Sequence, residues 1–159
     1  MESTPNPIVM VDVGGKPVSL RTARATARLH ARAETIERIR RQELAKGDAI
    51  ATARLAGIMA AKRTSDIVPL CHPLPLDSVA VHLDFDEPGT VVFEAVVRAT
   101  ARTGVEMEAL VAVSAAALAI YDMCKSIDPG MTIDGIRLEE KHGGTRGDYV
   151  RAAGPGSGG

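Results

Sequence analysis

Two period-two apolar runs joined by a Pro-Gly turn, two more alternating runs and three helical stretches predict an α+β fold for this chain of 159 residues. In order they read strand, helix, helix, strand, strand, helix, strand. That is the β-α-β-β-α-β ferredoxin-like pattern with one extra helix. The expected result is a four-stranded antiparallel sheet with helices on one face, leaving the other face open to packing by further subunits.

The totals fit one domain with a real core: 45% of residues are apolar and 25% charged. Aromatics are only 3% and Trp is absent, so the core is aliphatic and fine-grained, a kind more easily completed by oligomerisation. A net charge of −1 argues against non-specific nucleic-acid or membrane binding, and any anionic ligand needs a local cluster of Lys and Arg. Two cysteines, Cys71 and Cys124, no signal peptide and no apolar run of about 18 residues are expected of a reduced, cytoplasmic protein.

Residues 1–8 are polar and Pro-interrupted, and 152–159 end in GPGSGG, so both ends are read as disordered flanks of a single domain over 9–151. Val9 to Val13 is a short apolar patch before the Gly14-Gly15 break. TARATARLHA over Thr22–Ala31 alternates small apolar residues with Arg and Thr, which predicts an edge-type strand; its alanines make a helix the competing reading. On that strand Thr22, Arg24, Thr26, Arg28 and His30 share one face.

Ala33–Leu44 has the Ile36 and Ile39 spacing of an amphipathic helix with an Arg-rich outer side, broken by Lys46-Gly47-Asp48. Asp48 is a good N-cap for a second helix, Ala49–Lys62, with Ile50, Ala53, Leu55, Gly57 and Ile58 inward. Glycine in mid-helix costs about 1 kcal/mol against Ala, so Gly57 points to a close backbone contact. In TSDIVPLCHPLPLDSV the prolines 69, 73 and 75 forbid helix and central strand, giving a stiff irregular segment around Cys71 and His72. Val79–Phe85 and Thr90–Thr100 form the hairpin across 86–89, and Thr132–Lys141 the last strand. His142 to Asp148 is a Gly-rich basic loop.

The longest apolar-rich segment is TGVEMEALVAVSAAALAIYDMCK, from Thr103 to Lys125, a helix of about five turns carrying charge only at its ends. Being apolar all round, it is expected to be buried. Asp122 and Lys125 lie about 60° and one turn apart, so they share a face. Glu108 lies about 40° from Asp122 around the axis but about 21 Å away along it. One small-molecule site cannot use both ends, so if both carry chemistry they meet across a subunit boundary. The plainer reading is a helix-dipole effect of a few tenths to about 1 kcal/mol.

Reactive side chains collect in four places: Lys46-Gly47-Asp48, Lys62 through His72, Glu106-Met107-Glu108, and Asp122 with Lys125. Taken singly each has a bland account: a solvated lysine, a cap, a small buried thiol, a hydrogen-bonded histidine. Cys71, His72 and Cys124 lack zinc-site spacing. Dinucleotide, Walker and serine-elbow motifs are absent. Gly143-Gly144 near Arg146 is only a weak phosphate-cradle signal.

Together the motifs say more. K-G-D-x-x-A-T-A-R-x-A-G at Lys46–Gly57, A-A-K-R-T-x-D at Ala60–Asp66, P-L-C-H-P at Pro69–Pro73, T-G-V-E-M-E-A-L at Thr103–Leu110 and Y-D-M-C-K at Tyr121–Lys125 occur in one order. This pattern, spanning about Met10 to Tyr149, resembles the cyclic pyranopterin monophosphate synthase family, the MoaC-type proteins of molybdenum cofactor biosynthesis. The resemblance implies a ferredoxin-like subunit in a hexamer, a trimer of dimers, with active sites at subunit interfaces. It implies a lyase that rearranges 3′,8-cyclised dihydro-GTP, made upstream by a radical enzyme, to cyclic pyranopterin monophosphate with release of diphosphate. No redox cofactor is implied, and whether Mg²⁺ accompanies the triphosphate is left open.

By the same resemblance Lys46 and Lys125 are the central catalytic or substrate-holding lysines and Asp122 the general acid/base. Leu70, Cys71, His72, Met107 and Glu108 take substrate-binding positions, and Glu106 is expected to read guanine-type N–H donors. Arg21, Lys62, Arg63, Lys141 and Arg146 are candidates for the triphosphate. The family's last motif usually has Lys before Ser-Gly-Asp. Here it reads Thr145-Arg146-Gly147-Asp148, a basic residue one place along, which leaves the phosphate role of Arg146 open. The reading from a different class is a non-catalytic nucleotide- or pterin-binding oligomer, whose degenerate copies would lose Lys46, Asp122 or Lys125 first. All three are present.

Overall fold

The computed structural model describes residues 6–86 and 88–153. Most of the two flanks read as disordered, and Glu87 of the expected turn, lie outside the described residues. The elements are β1 (Ser19–His30), α1 (Ala33–Arg40), α2 (Ala49–Ala61), α3 (Thr64–Ile67), β2 (Ser78–Asp86), β3 (Thr90–Ala101), α4 (Glu106–Cys124), β4 (Thr132–His142) and β5 (Tyr149–Val150). The sheet runs β2-β3-β1-β4-β5, every pair antiparallel. Its first four strands have the expected ferredoxin-like order. The fifth is an addition: Tyr149 and Val150 pair with Lys141 and Glu140 after the Gly-rich loop turns the chain back.

β1 is a central strand, correcting the edge-type expectation, with β3 on one side and β4 on the other. Its alternation has a different cause from edge protection. Ala23, Ala25, Ala27 and Leu29 are buried against the helices. On the opposite face Arg24 reaches Glu140 at 2.8 Å and Glu94 at 3.2 Å, Thr26 donates to Glu139 at 2.7 Å, and His30 meets Asp134 at 2.8 Å. The open face is thus laced by ion pairs across three strands.

α2 and α4 pack on the small-residue face of the sheet. Val91, Phe93, Ala95, Val97 and Ala99 of β3 complete that layer. Asp48 caps α2 as expected, accepting from Ala51 N–H at 3.0 Å. Gly57 is buried, and a Cβ there would stand 2.9 Å from Val81 Cγ2 and 3.0 Å from the Ala112 carbonyl, so the predicted close approach is that of α2 to α4 and β2. Leu55, expected inward, is instead 58% exposed: the inward stripe follows 49, 53, 57 and 61, a strict i, i+4 row on which 55 does not lie.

Three further expectations are corrected. α1 ends at Arg40 rather than Leu44, and Gln42 adopts φ +56 just beyond. A single helical turn, α3, forms before Pro69 in the segment read as irregular. α4 is not buried all round: Leu118 is 60% exposed, while Ala109, Ala112, Val113, Ala116 and Ile120 face the core. Its length and composition would suffice to cross a membrane, but half of that apolar window is buried inside the fold, as in a core helix.

Candidate active site

The candidate residues gather at the two ends of α4. At its C-terminal end, Lys46 Nζ donates to Asp122 Oδ2 at 2.8 Å and to the Asp122 carbonyl at 3.4 Å. Lys125 Nζ holds the other oxygen, Oδ1, at 2.8 Å. One carboxylate therefore bridges two ammoniums. The i,i+3 spacing brings Lys125 over Asp122, as the helix geometry requires. Lys46 arrives from 76 positions away, presented by the turn in which Gly47 N–H returns to the carbonyl of buried Leu44 at 3.1 Å. All three side chains are about half exposed, which leaves them accessible to a ligand.

Hydrogen bonds from Lys125 first and Lys46 second pull the Asp122 carboxyl down to about 2, and Asp122 in turn raises Lys125. At neutral pH Asp122 is therefore a carboxylate, held by both lysines.

At the N-terminal end a cleft of about 410 Å³ collects eight of the expected residues: Arg21, Leu70, Cys71, His72, Glu106, Met107, Lys141 and Arg146. The stiff Pro69–Pro73 segment supplies three of them, the start of α4 two, β1 and β4 one each, and the loop after β4 the last. Arg21 is buried, only 8% exposed, its Nε donating to the Ala101 carbonyl at 3.3 Å and Nη2 to the Arg102 carbonyl at 3.2 Å. Gly144, at φ +91, makes room for it, since a Cβ there would lie 2.0 Å from Arg21 Nη1. Lys141 Nζ pairs with Glu106 at 3.1 Å.

Glu108 stands apart from its neighbours. It is 2% exposed and does not line the cleft. Its Oε1 takes the Cys71 thiol at 3.7 Å, and Oε2 is buried with no hydrogen-bond partner among the described residues. Burial first, and Glu106 as a lesser cause, push the Glu108 carboxyl up. Burial and then Glu108 likewise raise the Cys71 thiol, so at neutral pH it is a thiol rather than a nucleophilic thiolate. Iodoacetamide should alkylate Cys71 more slowly than a free cysteine at neutral pH, and Glu108→Gln should accelerate it. Mass-spectrometric rates across pH check both, and buried Cys124, its thiol pushed up to about 11, serves as the unreactive internal reference.

Lys62 and Arg63 are exposed at the α2–α3 junction and line neither cluster. Lys16 does line the cleft, with Val11, Val13 and Thr103. The signal that marks Lys16 is its place just after the Gly14-Gly15 break, a turn that returns the chain toward β1, with Lys16 N–H on the Val13 carbonyl at 3.0 Å.

With this geometry in view, the comparisons are specific. The profile of the MoaC family matches residues 10–144, from the start of the arm that carries Lys16 to the glycines beneath Arg21. The chain is 56% identical over 142 residues to a cyclic pyranopterin monophosphate synthase of Roseiflexus castenholzii, covering 89% of this chain and 90% of the relative. It is 52% identical to that of Desulfitobacterium hafniense, covering 89% and 87%. It is 53% identical to cyclic pyranopterin monophosphate synthase 3 of Mycobacterium tuberculosis, covering 89% and 80%. Both ends of α4, the Lys46 loop and the Cys71-His72 segment fall inside the matched span, and the chain belongs to the MoaC family.

Proposed function

We infer that this protein catalyses the cyclic pyranopterin monophosphate synthase reaction, converting 3′,8-cyclised dihydro-GTP to cyclic pyranopterin monophosphate with release of diphosphate, an early step of molybdenum cofactor biosynthesis. By reaction type it is a phosphorus–oxygen lyase. The observation that carries this reading is the carboxylate of Asp122 held at 2.8 Å by both Lys46 and Lys125, in a chain more than half identical to named synthases.

The substrate's chemistry matches what the two clusters offer. Its triphosphate needs several cations in a nearly neutral protein, and Lys16, Arg21, Lys141 and Arg146 line one cleft. Leu70, Met107 and the His72 ring give that cleft an apolar and a polar wall for the base, and Glu106 an acceptor for guanine-type N–H groups. Opening the purine ring, closing a pyrazine and attacking the α-phosphate with a ribose hydroxyl all move protons without changing oxidation level. Lysines and a carboxylate suffice for that, with no redox cofactor.

In the substrate-free cluster Asp122 is too acidic to be a strong base. Phosphate competes for the lysine ammoniums, and each lysine drawn away lets the proton affinity of Asp122 rise toward what general acid/base work requires. Lys46 and Lys125 then hold developing negative charge and deliver protons. Glu106 at the cleft and Asp122 in the lysine cluster sit about 24 Å apart along α4, so one substrate cannot touch both within one chain. A second copy supplies the missing half, which is the arrangement of a hexamer built as a trimer of dimers. We place the enzyme in the cytoplasm, where free Cys71 and Cys124 stay reduced.

The test is an assay supplied with the cyclised dihydro-GTP, following diphosphate and pyranopterin formation with and without EDTA. Turnover is expected, and Lys46→Ala and Lys125→Ala should each abolish it without dissociating the oligomer. Tight binding of the cyclised nucleotide without any turnover would instead establish a non-catalytic binding oligomer.

A further inference from the structure

Asp128, three residues beyond Lys125, is 4% exposed and is used by neither cluster. Its Oδ2 accepts from the backbone N–H of Arg32 at 2.9 Å and from the hydroxyl of Thr35 at 2.9 Å, and Thr35 is itself fully buried. The Arg32 Nε lies 3.6 Å from Oδ1, and the Arg32 guanidinium also donates to the Ile127 carbonyl. Asp128 N–H returns to the Cys124 carbonyl at 2.9 Å, so the loop is tied to the last turn of α4 as well. Burial pushes this carboxyl up, but the Arg32 N–H, the Thr35 hydroxyl and the Arg32 charge outweigh it and hold it below the usual carboxylate range.

These contacts join two segments far apart in sequence, the loop after α4 and the first turn of α1. α1 is short and rigidly seated by Ile36 and Ile39, and the chain leaving it passes buried Leu44 before presenting Lys46. The same end of α4 carries Asp122 and Lys125. Lys46 and its carboxylate partner are both exposed, and an exposed ion pair by itself does little to fix geometry. The buried link is the one that can.

We propose that Asp128 is a positioning residue for the Lys46–Asp122–Lys125 cluster, locking the start of α1 to the end of α4 so that Lys46 is delivered onto Asp122. It acts through these elements and touches no substrate. The proposal rests on reading that cluster as catalytic, but its central measurement does not require substrate.

Asp128→Ala removes the acceptor, and Thr35→Val removes one donor while leaving Asp128 its backbone partner. In the full-length protein the Asp122 carboxyl is followed by carbon-13 NMR between about pH 3 and 5. There the native carboxyl, pulled down to about 2, remains ionised. Losing the Lys46 partner should raise its midpoint by about one unit in Asp128→Ala, with a smaller shift in the same direction in Thr35→Val. Alongside this, kcat should fall about tenfold or more with KM changed far less, because misplacement rather than lost binding is responsible. Val97→Ala, a sheet-core change remote from the link, is the control for stability alone. Asp122 titrating as in the native protein in both variants, or shifting equally in Val97→Ala, would overturn the proposal. If Asp128→Ala does not fold, Thr35→Val decides on the same criterion. A shifted titration in a protein that shows no turnover would uphold the positioning role and remove only the catalytic reading.

Discussion

Replacing Asp122 with Ala should abolish pyranopterin formation, lowering kcat by about a thousandfold or more, the scale seen when a group that organises transition-state charge is deleted. The side chain bridges Lys46 and Lys125, and without it two ammoniums are left facing each other. Stability should scarcely change, because Asp122 is on the surface and exposed ion pairs contribute little. Unfolding by denaturant and turnover by diphosphate release separate the two effects. The pH dependence has a defined sign. Its folded value, about 2, lies below the ordinary 3.8, so whatever stability Asp122 adds is present above the higher value and is lost as pH falls through the lower. In Asp122→Ala that acid-range dependence should disappear. Mixing Asp122→Ala subunits with Lys141→Ala subunits should recover activity if each site draws its halves from two chains. No recovery after subunit exchange would show that a single chain supplies both.

Gly57→Val should produce the largest loss of stability among single substitutions at the α2–α4 contact. Two effects oppose each other. Replacing Gly raises helix propensity, by up to about 1 kcal/mol for Ala and less for a β-branched side chain. Against that, even the first carbon of the new side chain would sit 2.9 Å from Val81 Cγ2 and 3.0 Å from the Ala112 carbonyl. The Ala112 carbonyl is backbone in the middle of α4 and cannot retreat without moving the helix, and the Val81 methyl is a stiff β-branched group packed in the core. Overpacking of a rigid contact costs about 1–3 kcal/mol and occasionally more, and the two γ-carbons of Val place this case at the upper end. The net expectation is a loss of about 2–3 kcal/mol, measured by denaturant midpoint at unchanged m-value. Since Asp48, the cap of α2, is two residues from Lys46, a residual fall in kcat should accompany the loss.

Local features of the fold are legible in the residue pattern alone. The period of 79–85 and 90–100 predicts the β2–β3 hairpin, Asp48 predicts the start of its helix, and the Thr103–Lys125 segment predicts a long helix with its charges at the ends. The features that the pattern misassigns share one cause. Leu55 is apolar and central in α2, yet which side of that helix is inward depends on where α4 lies, and α4 is far away in sequence. β1 resembles an edge strand because Arg24 and Arg28 alternate with alanine. Only the acidic residues Glu94 and Glu140 on its two neighbouring strands show that charge can be paired on a central strand. Glu108 resembles its exposed neighbour Met107, but the turn of the helix buries it behind Cys71.

By itself the sequence determined the order of the seven main elements and the small-residue character of the core, and its motifs named the candidate side chains. Those depend on periodicity, capping and residue type, all of which act within a few positions. The tertiary structure decided which of these residues meet. It brought Lys46 to Asp122, buried Asp128 against Thr35, placed Lys16 beside Arg21 and left Lys62 and Arg63 outside both clusters. Each outcome joins or separates groups that are distant along the chain. Such contacts are set by how the helices pack on the sheet, which no local pattern encodes.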